Sequence, residues 1–239
     1  MSHPDTYHRT QPISPLEPHH FWQTIDPAGT HDAAPDGFTD SYPTSFPDGR
    51  QLLLPLRVLP GDGTQAVASL IINQASFAVE DALSQAMTGL IAPLDPEVIV
   101  GVPTLGLPLA NNVARRLGHP RMVALGTSRK FWYVDALSAP MSSITSPTHQ
   151  KTIFLDPRSL PLLADKRVAV VDDVISSGTS MVAVLTLLAQ AGITPAAVVV
   201  AMLQGTRWHA PLAAHRNKIL APIASPRFTR TPTGRWLPD

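Results

Sequence analysis

The run Val168-Ala169-Val170-Val171-Asp172-Asp173-Val174-Ile175-Ser176-Ser177-Gly178-Thr179-Ser180 has the residue types and spacing for chemistry on a sugar phosphate. Its apolar start reads as a buried strand that delivers two adjacent carboxylates to its carboxyl end. A short Ser/Gly/Thr loop follows and opens a helix. The loop's backbone N–H groups, its hydroxyls and the positive end of the helix together make a cradle for a phosphate. Asp172 and Asp173 carry the wrong sign to bind phosphate themselves. They suit the hydroxyls of a vicinal diol, or Mg²⁺ held directly or through water, because Mg²⁺ prefers oxygen ligands. Phosphate donors beside diol acceptors fit a ribose 5-phosphate. The alternative reading is a strand ending in solvated acids followed by a capped helix.

Two upstream segments can work with this one. Val100-Gly101-Val102-Pro103-Thr104-Leu105-Gly106-Leu107-Pro108-Leu109-Ala110 reads as strand, tight Gly-bounded loop and helix. Taken alone it could equally be ordinary strand–loop–helix packing. Ser128-Arg129-Lys130-Phe131-Trp132-Tyr133 opens a polar stretch that runs to about residue 150. Other nucleotide motifs fare worse. No Gly is followed directly by Lys, so the G-x-x-x-x-G-K-[ST] loop is missing. Gly61-Asp62-Gly63-Thr64-Gln65-Ala66 fits G-x-G-x-x-A, but the strand before it contains Pro55 and the suitably spaced acid, Glu80, falls inside an expected helix. A turn capping that helix is the simpler reading.

The segment 168–180 resembles the phosphoribosyl-pyrophosphate (PRPP) motif of type I phosphoribosyltransferases. The resemblance implies that Asp172 and Asp173 bind the ribose hydroxyls while Ser176, Ser177, Gly178, Thr179 and Ser180 cradle the 5-phosphate. Thr179 stands where the family loop usually has a second glycine. Residues 100–110 are similar to the family's pyrophosphate loop, GLPLA matching orotate enzymes, which implies that Thr104, Leu105 and Gly106 offer backbone N–H groups to the pyrophosphate. Adenine and orotate members usually carry Arg or Lys where this chain has Leu105. Residues 128–150 resemble the catalytic loop of adenine-type members, with Arg129 and Lys130 neutralising the departing pyrophosphate. Phe131, Trp132 and Tyr133 fit that loop less well and could stack on a base, seal the closed site or anchor the loop. The resemblance spans about residues 97–203. Base recognition in the family belongs to a variable hood, for which the N-terminal region, 204–212 and 226–239 are candidates, with Trp208, Phe228 and Trp236 as stacking residues or ordinary packing.

The elements that must position these residues read as α/β. Strands are expected at 52–59 (an edge strand, because of Pro55), 97–102, 121–125, 151–155, 168–171 and 196–202; helices at 64–90, 107–118 and 180–192. Short apolar strands alternating with helices predict an open, mainly parallel sheet with helices on both faces, plus a variable hood. Ligands of such sheets sit beyond the carboxyl ends of the strands. The expected organisation is an irregular Pro/His-rich N-terminal arm (1–50) and a single α/β domain (51–239) with hood elements from about 204. The arm holds eight of the 25 prolines and five of the nine histidines. His3, His8, His19, His20 and His31 could form a metal tract, but their irregular spacing favours a solvated arm. Phe21, Trp22, Tyr42 and Phe46 suggest that parts of the arm dock on the body or on a partner subunit.

Composition bounds the rest. Of the 239 residues 44% are hydrophobic and 15% charged, with 18 Lys+Arg against 18 Asp+Glu. That neutral balance and only four scattered lysines argue against a basic face for nucleic acid or an anionic membrane. No apolar run reaches the roughly 18 residues of a membrane span, and the first residues lack a signal or transit pattern. With no cysteine there is no disulfide, thiolate metal site or Cys nucleophile. A cytoplasmic protein is expected. The resemblance further implies a homodimer that uses Mg²⁺ and PRPP, transferring the phosphoribosyl group to a nucleobase, a purine favoured, in salvage. The alternative is a PRPP-sensing regulator with the same fold and little turnover, which Leu105 and Thr179 favour.

Overall fold

A computed structural model describes residues 16–31, 34–141 and 151–239. In chain order the elements are β1 (Ser41–Ser45), β2 (Gln51–Val58), β3 (Gln65–Ala68), α1 (Phe77–Ile91), β4 (Val98–Gly101), α2 (Gly106–Arg116), β5 (Val123–Ala124), β6 (Ser138–Met141) and β7 (Lys151–Phe154). There follow α3 (Leu160–Leu163), β8 (Val168–Ile175), α4 (Thr179–Gln190), β9 (Ala197–Gln204), β10 (Ile219–Leu220), β11 (Ile223–Ser225), β12 (Arg227–Arg230) and β13 (Trp236–Pro238).

The central sheet runs β10-β9-β8-β4-β5, all parallel, with β11 also pairing the far end of β9. Its strands are apolar on both faces, and the two-residue period of a strand sorts them into two cores. Ile99, Ala169, Val171, Ala197 and Val199 face the core shared with α1 and α2, whereas Val100, Val168, Val170, Val198 and Val200 face the one shared with α4. The expected parallel sheet covered on both faces is what the chain builds. Helices α2 and α4 are each followed by a left-handed glycine, Gly118 (φ 78°) and Gly192 (φ 76°), as their sequences predict.

A second sheet, β1-β2-β3-β12-β13, is antiparallel and joins residues from both ends of the chain. A bridge between Phe38 and Trp236 draws its two edges together. Thr44 Oγ1 donates to the Ala224 carbonyl at 2.8 Å, tying this hood to β11. Phe228 sits fully buried at its centre, with Tyr42 and Phe38 packed edge-on at 5.2 and 6.0 Å. Phe21 and Trp22 are buried in the same core. The Trp22 carbonyl accepts the Ser76 N–H, and Ser76 in turn caps α1.

Four expectations are corrected here. The helix expected from residue 64 begins at Phe77; residues 65–68 form β3, with Ala66 and Ala68 buried and Gln65 and Val67 half-buried, a strand's alternation that the helical spacing of Val67, Leu70 and Ile71 disguises. Gly61–Thr64 therefore caps no helix. It turns β2 into β3, and Asp62 Oδ1 accepts from the Thr64 N–H and hydroxyl. The strand containing Pro55 lies between two partners, not at an edge: β1 pairs 51–55 and β3 pairs 56–58, so the missing N–H falls where one partner gives way to the other. Residues 151–155 lie outside the parallel sheet, because β7 pairs antiparallel with β6 in a separate ribbon.

Candidate active site

Asp172 owes its place to unequal strand lengths. β4 pairs with β8 only as far as Gly101↔Val171, while β8 continues alongside β9 to Ile175↔Leu203. One residue beyond the end of β4, Asp172 faces the start of α2. Gly106 lies against it so closely that a Cβ there would stand 2.7 Å from Asp172 Oδ1 and 2.8 Å from its Cα. The 104–106 loop and the acidic pair are thus one assembly. Asp172 is 7% exposed, and its Oδ1 accepts the Asp173 N–H at 2.9 Å. Burial, then the neighbouring Asp173 carboxylate, pushes the Asp172 carboxyl well above its ordinary value; burial also raises Asp173.

After Ile175 the chain makes the loop 176–178 and enters α4 at Thr179. Gly178 is the N-cap residue at φ 83°, a left-handed conformation that suits glycine. Ser177 Oγ and Thr179 Oγ1 lie 2.8 Å apart. Asp172 and residues 174–181 line a cavity of about 130 Å³. The unpaired N–H groups of a helix's first turn favour an anion there. This is a phosphate-sized concavity with Asp172 on its other wall.

The structure thus brings Thr104, Leu105, Gly106, Asp172, Asp173 and 176–180 together. Leu105 turns its side chain onto the core under α1 and α2, so its position contributes backbone and no charge. Arg129 and Lys130 lie in a separate exposed turn, and no hydrogen bond or ion pair among the described residues joins them to the cradle. Arg129 is paired instead with Asp135 and reaches the Tyr133 carbonyl at 3.4 Å. Of the three aromatics, Trp132 donates to Asp156 Oδ2 at 3.1 Å beneath the Arg158 guanidinium, and Tyr133 packs 5.8 Å from Phe154. Those two anchor the turn, while Phe131 is 97% exposed. The remainder of that loop, 142–150, lies outside the described residues.

The model of the phosphoribosyl transferase domain family matches residues 69–218. The chain belongs to this family of phosphoribosyltransferases. No curated protein matches it significantly. Among solved structures it resembles Giardia lamblia APRTase complexed with 9-deazaadenine, at 20% identity and TM-score 0.58 over 72% of this chain and 93% of that one. Adenine phosphoribosyl transferase from Trypanosoma brucei, in complex with AMP, pyrophosphate and ribose-5-phosphate, is similar at 18% identity and TM-score 0.52, covering 73% and 68%. The adenine phosphoribosyltransferase of Saccharomyces cerevisiae gives 19%, 0.50, 72% and 92%. At such identities the likeness is one of fold.

The type I phosphoribosyltransferase fold read from 168–180 is therefore correct. Two further features of this phosphoribosyltransferase were not legible. Trp208 and Leu212 back the 176–178 loop: a Cβ on Gly178 would meet Leu212 Cδ1 at 3.1 Å and Trp208 Cβ at 3.2 Å. Trp208, Phe228 and Trp236 are all buried, at 5%, 0% and 5% exposure, so they pack rather than stand ready to stack. The second feature is a cleft of about 540 Å³ where β9 and β11 end against the hood. No local motif announces it.

Asp172 and Asp173 fit a divalent cation, being adjacent oxygen ligands, the first buried and the second half-buried, whose charge no Lys, Arg or His ion pair offsets among the described residues. No cluster of three His, Asp or Glu among those residues could hold a metal by itself. An ion here would complete its shell with water or substrate oxygens.

Proposed function

We propose that this phosphoribosyltransferase moves the 5-phosphoribosyl group of PRPP onto a purine nitrogen in salvage, with Mg²⁺. The observation that carries the reading is the pair of buried Asp172 and half-buried Asp173 running directly into the 176–180 cradle, with Gly106 packed on Asp172. Residues 176–180 hold the 5-phosphate through backbone N–H groups and hydroxyls, and the two carboxylates orient the ribose diol. The 104–106 backbone faces the pyrophosphate. Asp172 and Asp173 would hold Mg²⁺, directly or through water, and the ion would supply positive charge against the departing pyrophosphate. The anomeric C–O bond to pyrophosphate breaks, a C–N bond forms to the base, and the ring N–H proton leaves to solvent. Positive charge grows on the sugar, as in glycoside chemistry, and negative charge on the leaving group, where Arg129 and Lys130 act.

A cytoplasmic homodimer is part of this proposal and rests on the family resemblance alone. No helix among the described residues is long and apolar enough to cross a membrane. The core packing of Leu105 and the pairing of Arg129 with Asp135 favour a second reading, a PRPP sensor. Pyrophosphate release from Mg²⁺-PRPP across a panel of bases decides. Base-dependent release supports the transferase; saturable PRPP binding without release supports the sensor. Asp172→Asn with Asp173→Asn should abolish PRPP binding while unfolding stays cooperative, and unchanged affinity sinks the site.

A further inference from the structure

The 540 Å³ cleft lies within the roughly 300–1,000 Å³ of small-molecule sites. Its walls include Tyr42, Arg207, Trp208, Ser225, Arg227 and Asp239. Two of these present buried atoms without a hydrogen-bond partner, Ser225 Oγ and Arg227 Nε. Ser225 is 4% exposed. Buried polar atoms of this kind are few in folded proteins and call for a partner. Both line one cavity, so one ligand can satisfy both.

The cleft adjoins the phosphate cradle. β8 reaches Ile175 beside Leu203 of β9, and the next residue of β9, Gln204, pairs with Ser225 of β11. Trp208 lines the cleft and backs Gly178. A ribose seated on Asp172 and Asp173 has this cleft beside it. Tyr42 provides an aromatic wall for a planar ring.

The polar groups select among rings. Arg227 has no ion-pair partner among the described residues. Its stem lies across Gly205, where a Cβ would come 2.9 Å from Arg227 Cγ, so a glycine with φ 61° lets the guanidinium take this course. Arg207 adds a second donor-only group. The acid present, Asp239, already accepts the Thr229 hydroxyl at Oδ1, and its N–H bonds the Arg227 carbonyl. A ring edge that offers an amine leaves Arg227 unpaired; one that offers oxygen satisfies it.

We infer that this cleft holds the acceptor base and selects one presenting a carbonyl or carboxylate oxygen, read by Arg227 with Ser225, over one presenting an amine. The inference rests on the phosphoribosyl-transfer reading. Hypoxanthine, orotate and adenine are titrated by calorimetry into the full chain and into Arg227→Met and Ser225→Ala. Arg227→Met keeps the stem over Gly205 and removes the donors, so its melting midpoint should hold; Ser225→Ala serves if it does not. An oxygen-bearing base should bind at least about ten-fold tighter than adenine, and Arg227→Met should erase that ratio. Hypoxanthine as the tighter ligand assigns a carbonyl, orotate a carboxylate. Adenine bound equally well, no base bound, or a ratio that survives both variants overturns the inference. Pyrophosphate release in the same samples separates the two claims. Release with adenine alone removes this one and leaves transfer; selective base binding without release leaves this one and removes transfer.

Discussion

Gly106 at the start of α2 and Asp172 on β8 are in van der Waals contact through the space a side chain would fill: a Cβ on Gly106 would stand 2.7 Å from the Asp172 carboxylate and 2.8 Å from its Cα. The second distance is to backbone, so no rotamer change relieves it. Gly106→Ala should push α2 away from β8, destabilising the fold by about 1–3 kcal/mol as overpacking does. It should also move the carboxylate relative to the 176–180 loop. Displacements near 1 Å in such sites cost about 10²-fold in rate. Denaturant melts and steady-state turnover check the two effects; a variant with wild-type turnover would show that this contact does not set the site.

Burial makes Asp172 costly in the free protein. Its folded carboxyl value lies well above the ordinary one, first from desolvation and then from Asp173. Between those two values the folded chain holds more protons than the unfolded chain, so stability falls as pH rises through that window. The melting midpoint should therefore climb as pH falls from neutral toward the ordinary carboxylate range. Asp172→Asn should be more stable than wild type at neutral pH, by about 2–4 °C for each kcal/mol relieved, and should lose much of the pH response. Calorimetric melts across pH test this; an Asn variant that melts lower at neutral pH refutes it.

That tension explains why the cradle was legible. Two acids at the end of an apolar strand, followed by small residues, is a pattern that core packing alone would avoid, and it marked 168–180. The alternating strands were readable for a related reason: Val98–Gly101, Val168–Val171 and Ala197–Val200 are apolar throughout because both faces are covered. The hood was not readable. Its pairings join Thr229 to Gln65 and Phe38 to Trp236, partners set by the whole fold and by no local spacing. Ser225 and Arg227 are ordinary residues in two short strands, β11 and β12, and only the closing of the hood over β9 makes their unpartnered atoms conspicuous.

Trp208 packs against the loop that leads into α4. Its Nε1 donates to the Gly205 carbonyl at 3.1 Å, and its Cβ, with Leu212, presses on Gly178. Truncating a buried Trp costs about 3–5 kcal/mol. Trp208→Ala should therefore lower stability and, by releasing Gly178, weaken PRPP binding more than base binding. Trp208→Phe should restore most of both. Calorimetric titration of PRPP separates the possibilities: equal weakening of PRPP and base would place Trp208 in the base site instead.

Arg129 waits in an ion pair with Asp135, both side chains largely exposed at 52% and 84%. An exposed pair is worth about 0–1 kcal/mol, so the pairing reduces the available population of free Arg129 by about five-fold at most. Such a contact can hold the turn in place without preventing its use. Arg129→Ala should cut kcat by about 10²–10³-fold, the effect of removing one pre-positioned donor, while PRPP affinity changes only about three-fold or less. Asp135→Asn should leave stability within about 0.5 kcal/mol and raise kcat by about five-fold at most. Steady-state rates and PRPP titration on both variants give the answer. A loss confined to affinity in Arg129→Ala would remove Arg129 from the transition state and leave it as the anchor of an exposed turn.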